Sequence, residues 1–191
     1  MSGDGFHVHG PHDHELEHQA QHAPEGMAGQ LAVITAIIAT VGALFSYMGG
    51  ATQAAAGLYK NDAAIRKTEA ANQWNYYQAK SGKQNLAELA LELVNDEKRA
   101  RFAADIERYK TEKAEIKAKA EEYEKESKDF DALSEAQMHQ HHRWAQATTA
   151  LQISIALAAI ALLTRRRWLE WGTLGVASLG TLTGVAAWFH V

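Results

Sequence analysis

The segment that decides the fold is residues 145–191, which reads AQATTALQISIALAAIALLT (145–164), RRR (165–167) and WLEWGTLGVASLGTLTGVAAWFHV (168–191). Each apolar run has about the 20 residues that a helix needs to cross a bilayer. A third apolar run of similar length lies at 28–51. The sequence therefore predicts an all-α membrane protein with transmembrane helices at 28–51, 145–164 and 168–190, the last two joined by the arginine turn.

The overall composition conceals this division into segments. Mean hydropathy is -0.32, because it averages the apolar runs with a charged middle section. A chain of 191 residues predicts one helical unit with a polar tail rather than several domains. The absence of cysteine excludes disulfides and thiolate chemistry. A net charge of -4 argues against a nucleic-acid partner, which normally selects a basic face.

The N-terminal tail, residues 1–27, is rich in histidine and has no Lys or Arg. It is too polar to build a core, so we expect it to be mostly disordered. The apolar run that follows it lacks a basic n-region and exceeds the usual length of a signal-peptide core. This first run is therefore interpreted as a retained anchor and not as a cleaved leader.

The tail contains the one motif that suggests metal chemistry. His14-Glu15-Leu16-Glu17-His18 matches H-E-x-x-H, in which both histidines of a helix bind zinc and the glutamate activates water. His22 is the candidate third ligand. A polar tail offers no shell to exclude water, so the favoured hypothesis is a solvated segment, with binding of Zn, Ni or Cu at His14, His18 and His22 as the alternative. No nucleotide loop or nucleophile elbow is present, so we expect no catalytic residues, no bound cofactor and no enzymatic activity.

The charged section, residues 52–144, predicts a long extramembrane helical hairpin that resembles a coiled coil. Neither Gly nor Pro occurs between Gly82 and Gly172, and helix-forming residues dominate. The chain must return to the membrane, so the helix must reverse. Asn95-Asp96 divides the section almost equally and is the preferred turn, with Ser81-Gly82 as the rival. An apolar stripe with a spacing of three and four residues is interrupted by Lys113 and Ser127, which indicates packing on one neighbour; it comprises Phe102, Ile106, Tyr109, Ile116, Ala120, Tyr123 and Phe130.

Small residues recur every four positions in each apolar run. They are Gly42, Ser46 and Gly50 in the first, Ala150, Ser154 and Ala158 in the second, and Gly180 and Gly184 in the third. Such spacing allows close helix approach in lipid, so these faces are candidate contacts within or between copies. Trp144 precedes the second run and is expected to be an interfacial anchor.

The densest unusual stretch is NQWNYYQAK at residues 72–80. Trp74 and Tyr77 share one helical face, and we expect them to pack between the hairpin arms against small residues such as Ala118 and Ala120. A ligand or partner site at this motif is the alternative. The motif residues taken as significant are Gln73, Trp74, Tyr76, Tyr77, Gln78 and Lys80.

This motif, the N-terminal anchor and the arginine-rich turn together resemble a bacterial family of small three-pass membrane proteins, domain of unknown function 4337. The resemblance covers most of the chain. Asn72 and Gly82 look atypical, since an acidic and an aliphatic residue are expected there. The resemblance implies a three-helix membrane architecture in the bacterial inner membrane, and it implies no chemistry.

The favoured function is a homo-oligomeric membrane scaffold or interaction protein, in contact with lipid and with an unidentified membrane-complex partner. One alternative is a channel-like assembly, for which Thr148, Thr149 and Gln152 provide a short polar stripe. The other is metal binding or sensing by the His-rich tail. The turn at Arg165, Arg166 and Arg167 favours a cytoplasmic N-terminus and a periplasmic hairpin under the positive-inside rule, although Lys60, Arg66, Lys67 and Arg143 on the hairpin side compete with it.

Overall fold

Three helices account for nearly all of the chain that the computed structural model describes, residues 26–189. α1 is Met27–Leu93, α2 is Asp96–Thr164 and α3 is Arg167–Trp188. Within residues 26–189 there is no β-strand. The prediction of an all-α protein is therefore confirmed.

The break between α1 and α2 lies at Val94 and Asn95. Asp96 and Glu97 follow it in the first turn of α2, where carboxylates favour the positive end of the helix dipole. The amide of Lys98 donates to the carbonyl of Asn95 at 3.1 Å. Gly82, the rival position for the reversal, lies inside α1, so the turn is at Asn95-Asp96 as preferred from the sequence.

Two of the described helices, α1 and α2, contain stretches that are long and apolar enough to cross a membrane, by length and composition. These stretches contain the first two apolar runs of the sequence. The crossing by α3 stays a prediction.

The described helices form two compact units. The apolar unit comprises residues 26–49 and 142–189, and the polar unit is Gly50–His141. One cluster of the apolar unit is Leu31, Ala158, Ala161 and Leu169. A second is Ile38, Leu151 and Ala177, against which Phe45 packs.

Small and polar residues bring the helices of the apolar unit together. The buried Ser154 hydroxyl donates to the carbonyl of Thr173 at 2.8 Å. A Cβ added at Gly180 would lie 3.0 Å from the Ala150 side chain. One added at Gly184 would collide with the Phe45 ring. The contacts of α3 with α1 and α2 therefore depend on the absence of larger side chains at Gly180 and Gly184.

Trp144 closes one end of this core. Only 2% of its surface is exposed, and its ring lies 5.2 Å from Phe45 and 6.5 Å from Trp188 between centroids. Trp144 is therefore a core residue, and the expectation of an exposed interfacial anchor is wrong. Its neighbours come from α1 and α3, which sequence spacing alone does not place beside it.

The polar unit is an antiparallel pair formed by residues 50–93 of α1 and 96–141 of α2. Its centre is a seam of small residues, which we call the small-residue seam; it consists of Ala56, Ala63 and Ala70 of α1 and Ala120, Ser127 and Ser134 of α2, all buried. On each helix the members are seven residues apart. The Ser127 hydroxyl donates to the Ala63 carbonyl and the Ser134 hydroxyl to the Ala56 carbonyl, each at 2.9 Å.

The polar residues of α2 that seemed to interrupt its apolar stripe are part of this contact. Ser127 is 7% exposed and hydrogen-bonded. Lys113 donates to the Gln84 side chain at 3.1 Å. Ser127 and Lys113 thus each have a hydrogen-bond partner on α1, which offsets the cost of taking them out of water.

Candidate functional site

The aromatic motif lies in the middle of the polar part of α1 and divides between two faces. Gln73, Trp74, Tyr77 and Lys80 are partly buried. Asn75, Tyr76, Gln78 and Ala79 are exposed. A helix places residues three and four apart on one side, so one half of the motif faces α2 and the other half faces away from it.

Trp74 is fixed by a polar and an aromatic contact. Its Nε1 donates to Glu124 Oε1 at 2.8 Å. Its ring meets Tyr77 edge-on, with 5.7 Å between centroids, a geometry favoured by the ring quadrupoles. Of the two alanines expected to face Trp74 and Tyr77, Ala120 is buried and Ala118 is exposed. The arms therefore meet at the motif through charged partners as well as small residues.

Lys80, the cation of the motif, is largely enclosed, with 14% of its side chain exposed. Its Nζ lies 2.5 Å from Glu112 Oε2 and 5.2 and 5.6 Å from the ring centres of Tyr76 and Tyr109. The Glu112 hydrogen bond raises the pKa of Lys80, and the Lys80 ammonium lowers the pKa of Glu112. The pair therefore carries both charges at neutral pH.

Similar cation contacts flank the motif on both sides. Lys113 lies 5.0 Å from the Tyr77 ring centre. Arg66 pairs with Glu126 at 2.9 Å and lies 5.5 Å from the Tyr123 ring centre. These contacts connect α1 to α2 along the helices and fix their register.

A shallow groove of about 480 Å³ lies beside Trp74; it is lined by Lys67, Ala70, Ala71, Trp74, Glu124, Ser127, Lys128 and Asp131. The groove offers an aromatic edge with charges of both signs. The hydroxyl of Ser127 in this lining donates to the Ala63 carbonyl at 2.9 Å. Among the described residues no group of three or more His, Asp or Glu side chains could hold a metal ion.

The family described as Domain of unknown function (DUF4337) matches residues 27–190. The chain belongs to this family. The DUF4337 match includes all three helices and the aromatic motif. Comparison with curated proteins and with solved structures gives no match for this DUF4337 chain. The family assignment predicted from the motif is thus confirmed, while the roles of its residues rest on the geometry above.

The arginine turn lies between α2 and α3. Arg165 has a positive φ of 52°, Arg166 precedes α3 in extended conformation and Arg167 begins it. All three side chains are exposed. The candidate metal ligands His14, His18 and His22 lie outside the described residues, as does most of the tail predicted to be disordered.

The predicted small-residue faces have mixed outcomes. Gly180 and Gly184 are buried contact residues, and so are Ser154 and Ala158. Gly42 is buried beside Leu151. Ser46 and Gly50 are exposed, so they are not contacts within this chain. The contact face of α1 continues through Phe45 and the buried Gly49, in steps of three and four residues. A strict four-residue spacing therefore leaves this face at Ser46.

The serines of the polar unit were not recognised from the sequence as contact residues. Ser127 and Ser134 donate across the small-residue seam. The sequence feature that could have identified them is the seven-residue spacing of Ala56, Ala63 and Ala70. Ala120, Ser127 and Ser134 have the same spacing. Two such series in one hairpin predict close helix approach, because small residues allow it.

Proposed function

We propose that this DUF4337 protein is a membrane-anchored helical scaffold of the bacterial inner membrane, without catalytic activity. Three transmembrane helices would anchor it, and the coiled-coil-like polar unit would serve as its interaction element. The observation that carries the proposal is the apolar exterior of the apolar unit. Large apolar side chains are exposed on all three helices there, among them Val33 at 62%, Leu163 at 84% and Leu182 at 67%.

In water this exterior would be unfavourable. Apolar surface costs about 25 cal/mol per Å² when exposed, and soluble monomers rarely present contiguous apolar patches larger than a few hundred Å². Lipid chains remove this cost. The closest helix contacts in the apolar unit are made at Gly, Ala and Ser residues. Such contacts are usual where helices are joined by packing rather than by the hydrophobic effect.

The tryptophans of α3 support a crossing by this helix. Trp168 and Trp171 near its start are 66% and 74% exposed, and Trp188 at its end is 61% exposed. Trp168 and Trp188 are separated by roughly 30 Å along the helix, which matches the thickness of a bilayer core. Tryptophan is enriched at both membrane interfaces, so each end of α3 would lie at one interface.

The short turn at Arg165, Arg166 and Arg167 sets the proposed orientation. Short positively charged loops stay in the cytoplasm. The N-terminal tail would then be cytoplasmic and residues 52–144 periplasmic. A reporter fused at Asn95 tests this: periplasmic alkaline phosphatase should be active there, and activity of a cytoplasm-only reporter at the same position would reverse the orientation.

The polar stripe that suggested a channel gives little support to that alternative. The hydroxyls of Thr148 and Thr149 donate to the carbonyls four residues earlier, Trp144 and Ala145, at 2.9 and 2.8 Å. The single donor of each hydroxyl is therefore used within α2. The contacts within the polar unit are compatible with a scaffold, because Lys80 of the motif and the nearby Arg66 pair with carboxylates of the opposite helix.

Membrane extraction tests the anchor. The full chain should stay in the membrane pellet after an alkaline carbonate wash and should float with vesicles on a density gradient. A Leu182→Lys variant should reduce insertion, because a charge at a lipid-facing position costs about 2.5–3.5 kcal/mol. A Leu133→Lys variant, which changes an exposed residue of the polar unit, is the control. Release of the wild-type chain by carbonate would refute the proposal.

A further inference from the structure

The outward side of α1 in the polar unit carries a continuous stripe that nothing in the described chain covers. We call it the outer stripe; it consists of Leu58, Asn61, Ile65, Thr68, Asn72, Asn75, Ala79, Gly82, Leu86, Leu89 and Leu93, all exposed. Its largest members are well exposed, with Leu58 at 68%, Leu86 at 67% and Leu93 at 77%. Its members alternate in steps of three and four, the spacing of a coiled-coil seam.

The outer stripe is distinct from the small-residue seam. The seam positions of α1, such as Ala63, precede the stripe positions, such as Ile65, by two residues, which is about 200° around a helix. α1 thus has two separate faces. One side contacts α2 and the other is available to a partner.

Charge separates this face from the rest of the polar unit. No stripe position carries a charge, and neither do the adjoining positions at Ala64, Ala71, Gln78 and Asn85. The exposed side of α2, by contrast, alternates Lys, Arg, Glu and Asp, and its large exposed apolar residues are only Leu133 and Met138. A solvated helix face has no need for large apolar side chains at both of its ends, where Leu58 and Ile65 lie at one end and Leu86, Leu89 and Leu93 at the other.

We propose that the outer stripe is the interface with a second copy of this chain, packed parallel to the first along α1. In a parallel two-fold pair each stripe residue meets its own copy. Leucine then contacts leucine at both ends. Asn72 meets Asn72 in the middle, where an amide can both donate and accept. Asn61 and Asn75 of the stripe would pair with their own copies in the same way, and polar pairs of this kind in a seam fix register and orientation.

The charged residues beside the outer stripe are compatible with a second, parallel copy of the chain. In a parallel pair the charged flank, Asp62, Glu69 and Lys83, faces the opposite flank of the other copy, which carries no charge from Gly57 to Asn85 and has Glu92 beyond it, so no like charges meet along Asp62–Lys83. Glu69 is already paired with Arg66 at 2.8 Å within its own copy. Gly82, beside which a Cβ would meet no atom within 4 Å, leaves space for close approach.

The size of the face is sufficient for a specific contact. The stripe runs for roughly 50 Å along α1 and a helix is about 10 Å wide. Two copies would together bury about 1,000 Å² or more, the lower bound for a biological interface. A second copy also explains the half of the aromatic motif that faces away from α2. Asn75, Gln78 and Ala79 lie on the outer face, while Trp74 and Lys80 face α2.

The parallel orientation rests on the proposed function, since two chains anchored in one membrane run in the same direction. Disulfide trapping tests it directly, because the natural chain has no cysteine. Facing residues of a parallel pair come within the Cα separation that a disulfide spans, about 4.4–6.8 Å. In an antiparallel pair in which residue 65 faces residue 86, the two copies of residue 65 would be roughly 32 Å apart. Full-length Ile65→Cys and Leu86→Cys should therefore each crosslink to themselves in floated membranes.

Ala118→Cys, an exposed position of α2, is the matched control and should stay uncrosslinked. Failure of both stripe variants, or equal crosslinking at Ala118, would overturn the proposal. Crosslinking only between Ile65→Cys and Leu86→Cys in a mixture would overturn the parallel orientation. Loss of flotation with crosslinking retained would refute the membrane anchor and leave the stripe intact, so the two proposals fail separately.

A charge placed in the stripe supplies the second measurement. Leu86→Glu should raise the dissociation constant of the detergent-solubilised dimer by about tenfold or more, because both copies lose an apolar contact. Leu86 is exposed, so helix content by circular dichroism should stay at the wild-type value. Leu133→Glu on α2 should leave the dimer unchanged. A monomeric wild-type chain at every concentration, or a Leu86→Glu dimer of wild-type affinity, would contradict the interface.

Discussion

Enlarging one alanine of the small-residue seam should separate the helices of the polar unit. Ala63 is 3% exposed and its carbonyl accepts the Ser127 hydroxyl at 2.9 Å. Ala63→Leu adds three carbons where no space is available, and overpacking of this kind costs about 1–3 kcal/mol. Moving the helices apart also breaks the Ser127 hydrogen bond, which contributes about 1 kcal/mol. We therefore expect a local destabilisation of about 2–4 kcal/mol.

Hydrogen exchange of the full chain in detergent measures this effect where it occurs. A loss of about 2–4 kcal/mol accelerates exchange through local opening by about 30- to 1,000-fold. The acceleration should appear in peptides covering residues 56–70 and 120–134 and be absent at 150–160. Ser127→Ala removes only the hydrogen bond and should give roughly a fivefold acceleration. This variant separates the contribution of the hydroxyl from that of the packing.

Ala114→Leu is the matched control, because Ala114 is exposed on α2 and the two substitutions add the same atoms. Its exchange should stay within about twofold of wild type, as expected for a surface change. If Ala63→Leu exchanges like wild type, the seam is not closely packed. If Ala114→Leu is equally fast, the effect belongs to leucine and not to the site, and the reasoning is refuted.

Three further outcomes follow from named contacts. Lys80→Met should lower the thermal midpoint of the polar unit at pH 7. Because Lys80 holds the folded-state pKa of Glu112 below its ordinary value of 4.5, the difference from wild type should persist above that pH and shrink as pH falls through the lowered pKa, leaving the contribution of the Tyr76 and Tyr109 ring contacts. Gly184→Ala should destabilise the apolar unit in a detergent melt by about 1–3 kcal/mol, because its Cβ would collide with Phe45, whereas Gly175→Ala, with no atom within 4 Å, should not. Arg165→Gly should stabilise the turn by about 1–2 kcal/mol in the same melt, because its φ of 52° is unfavourable for a residue with a side chain. Arg166→Gly, at a φ of -96°, removes the same charge and should not give this gain. Equal behaviour of the two variants would show that backbone conformation is not the cause.

Much of the fold was available from hydrophobic periodicity. The three apolar runs, the absence of Gly and Pro after Gly82, and the requirement for a reversal together predicted an all-helical chain with a break at Asn95. Gly82 does not break α1 because its helical neighbours on both sides favour helix and no side chain contact is required of it. Helix length and turn position are local properties, so a single sequence can specify them.

The identity of contact partners was less accessible. Trp144 looked like an interfacial anchor because it precedes an apolar run, yet Phe45 and Trp188 enclose it. Ser127 looked like an interruption because hydroxyls are polar, yet the Ala63 carbonyl satisfies it. Both depend on residues far away in the chain, and such pairings follow from the register of the helices rather than from local composition. The motif was recognisable, but its division between two faces emerged only once the position of α2 was known.

The small-residue seam also limits what evolution can do at six positions. At Ala56, Ala63, Ala70, Ala120, Ser127 and Ser134, homologues of this chain should alternate among Gly, Ala and Ser, while the exposed residues one position away drift freely. The exchange of alanine for serine should be frequent there, since each hydroxyl can use a carbonyl already present on the other helix. A lineage that acquired a larger residue at one seam position would need a compensating glycine on the opposite helix, so these positions should change in pairs.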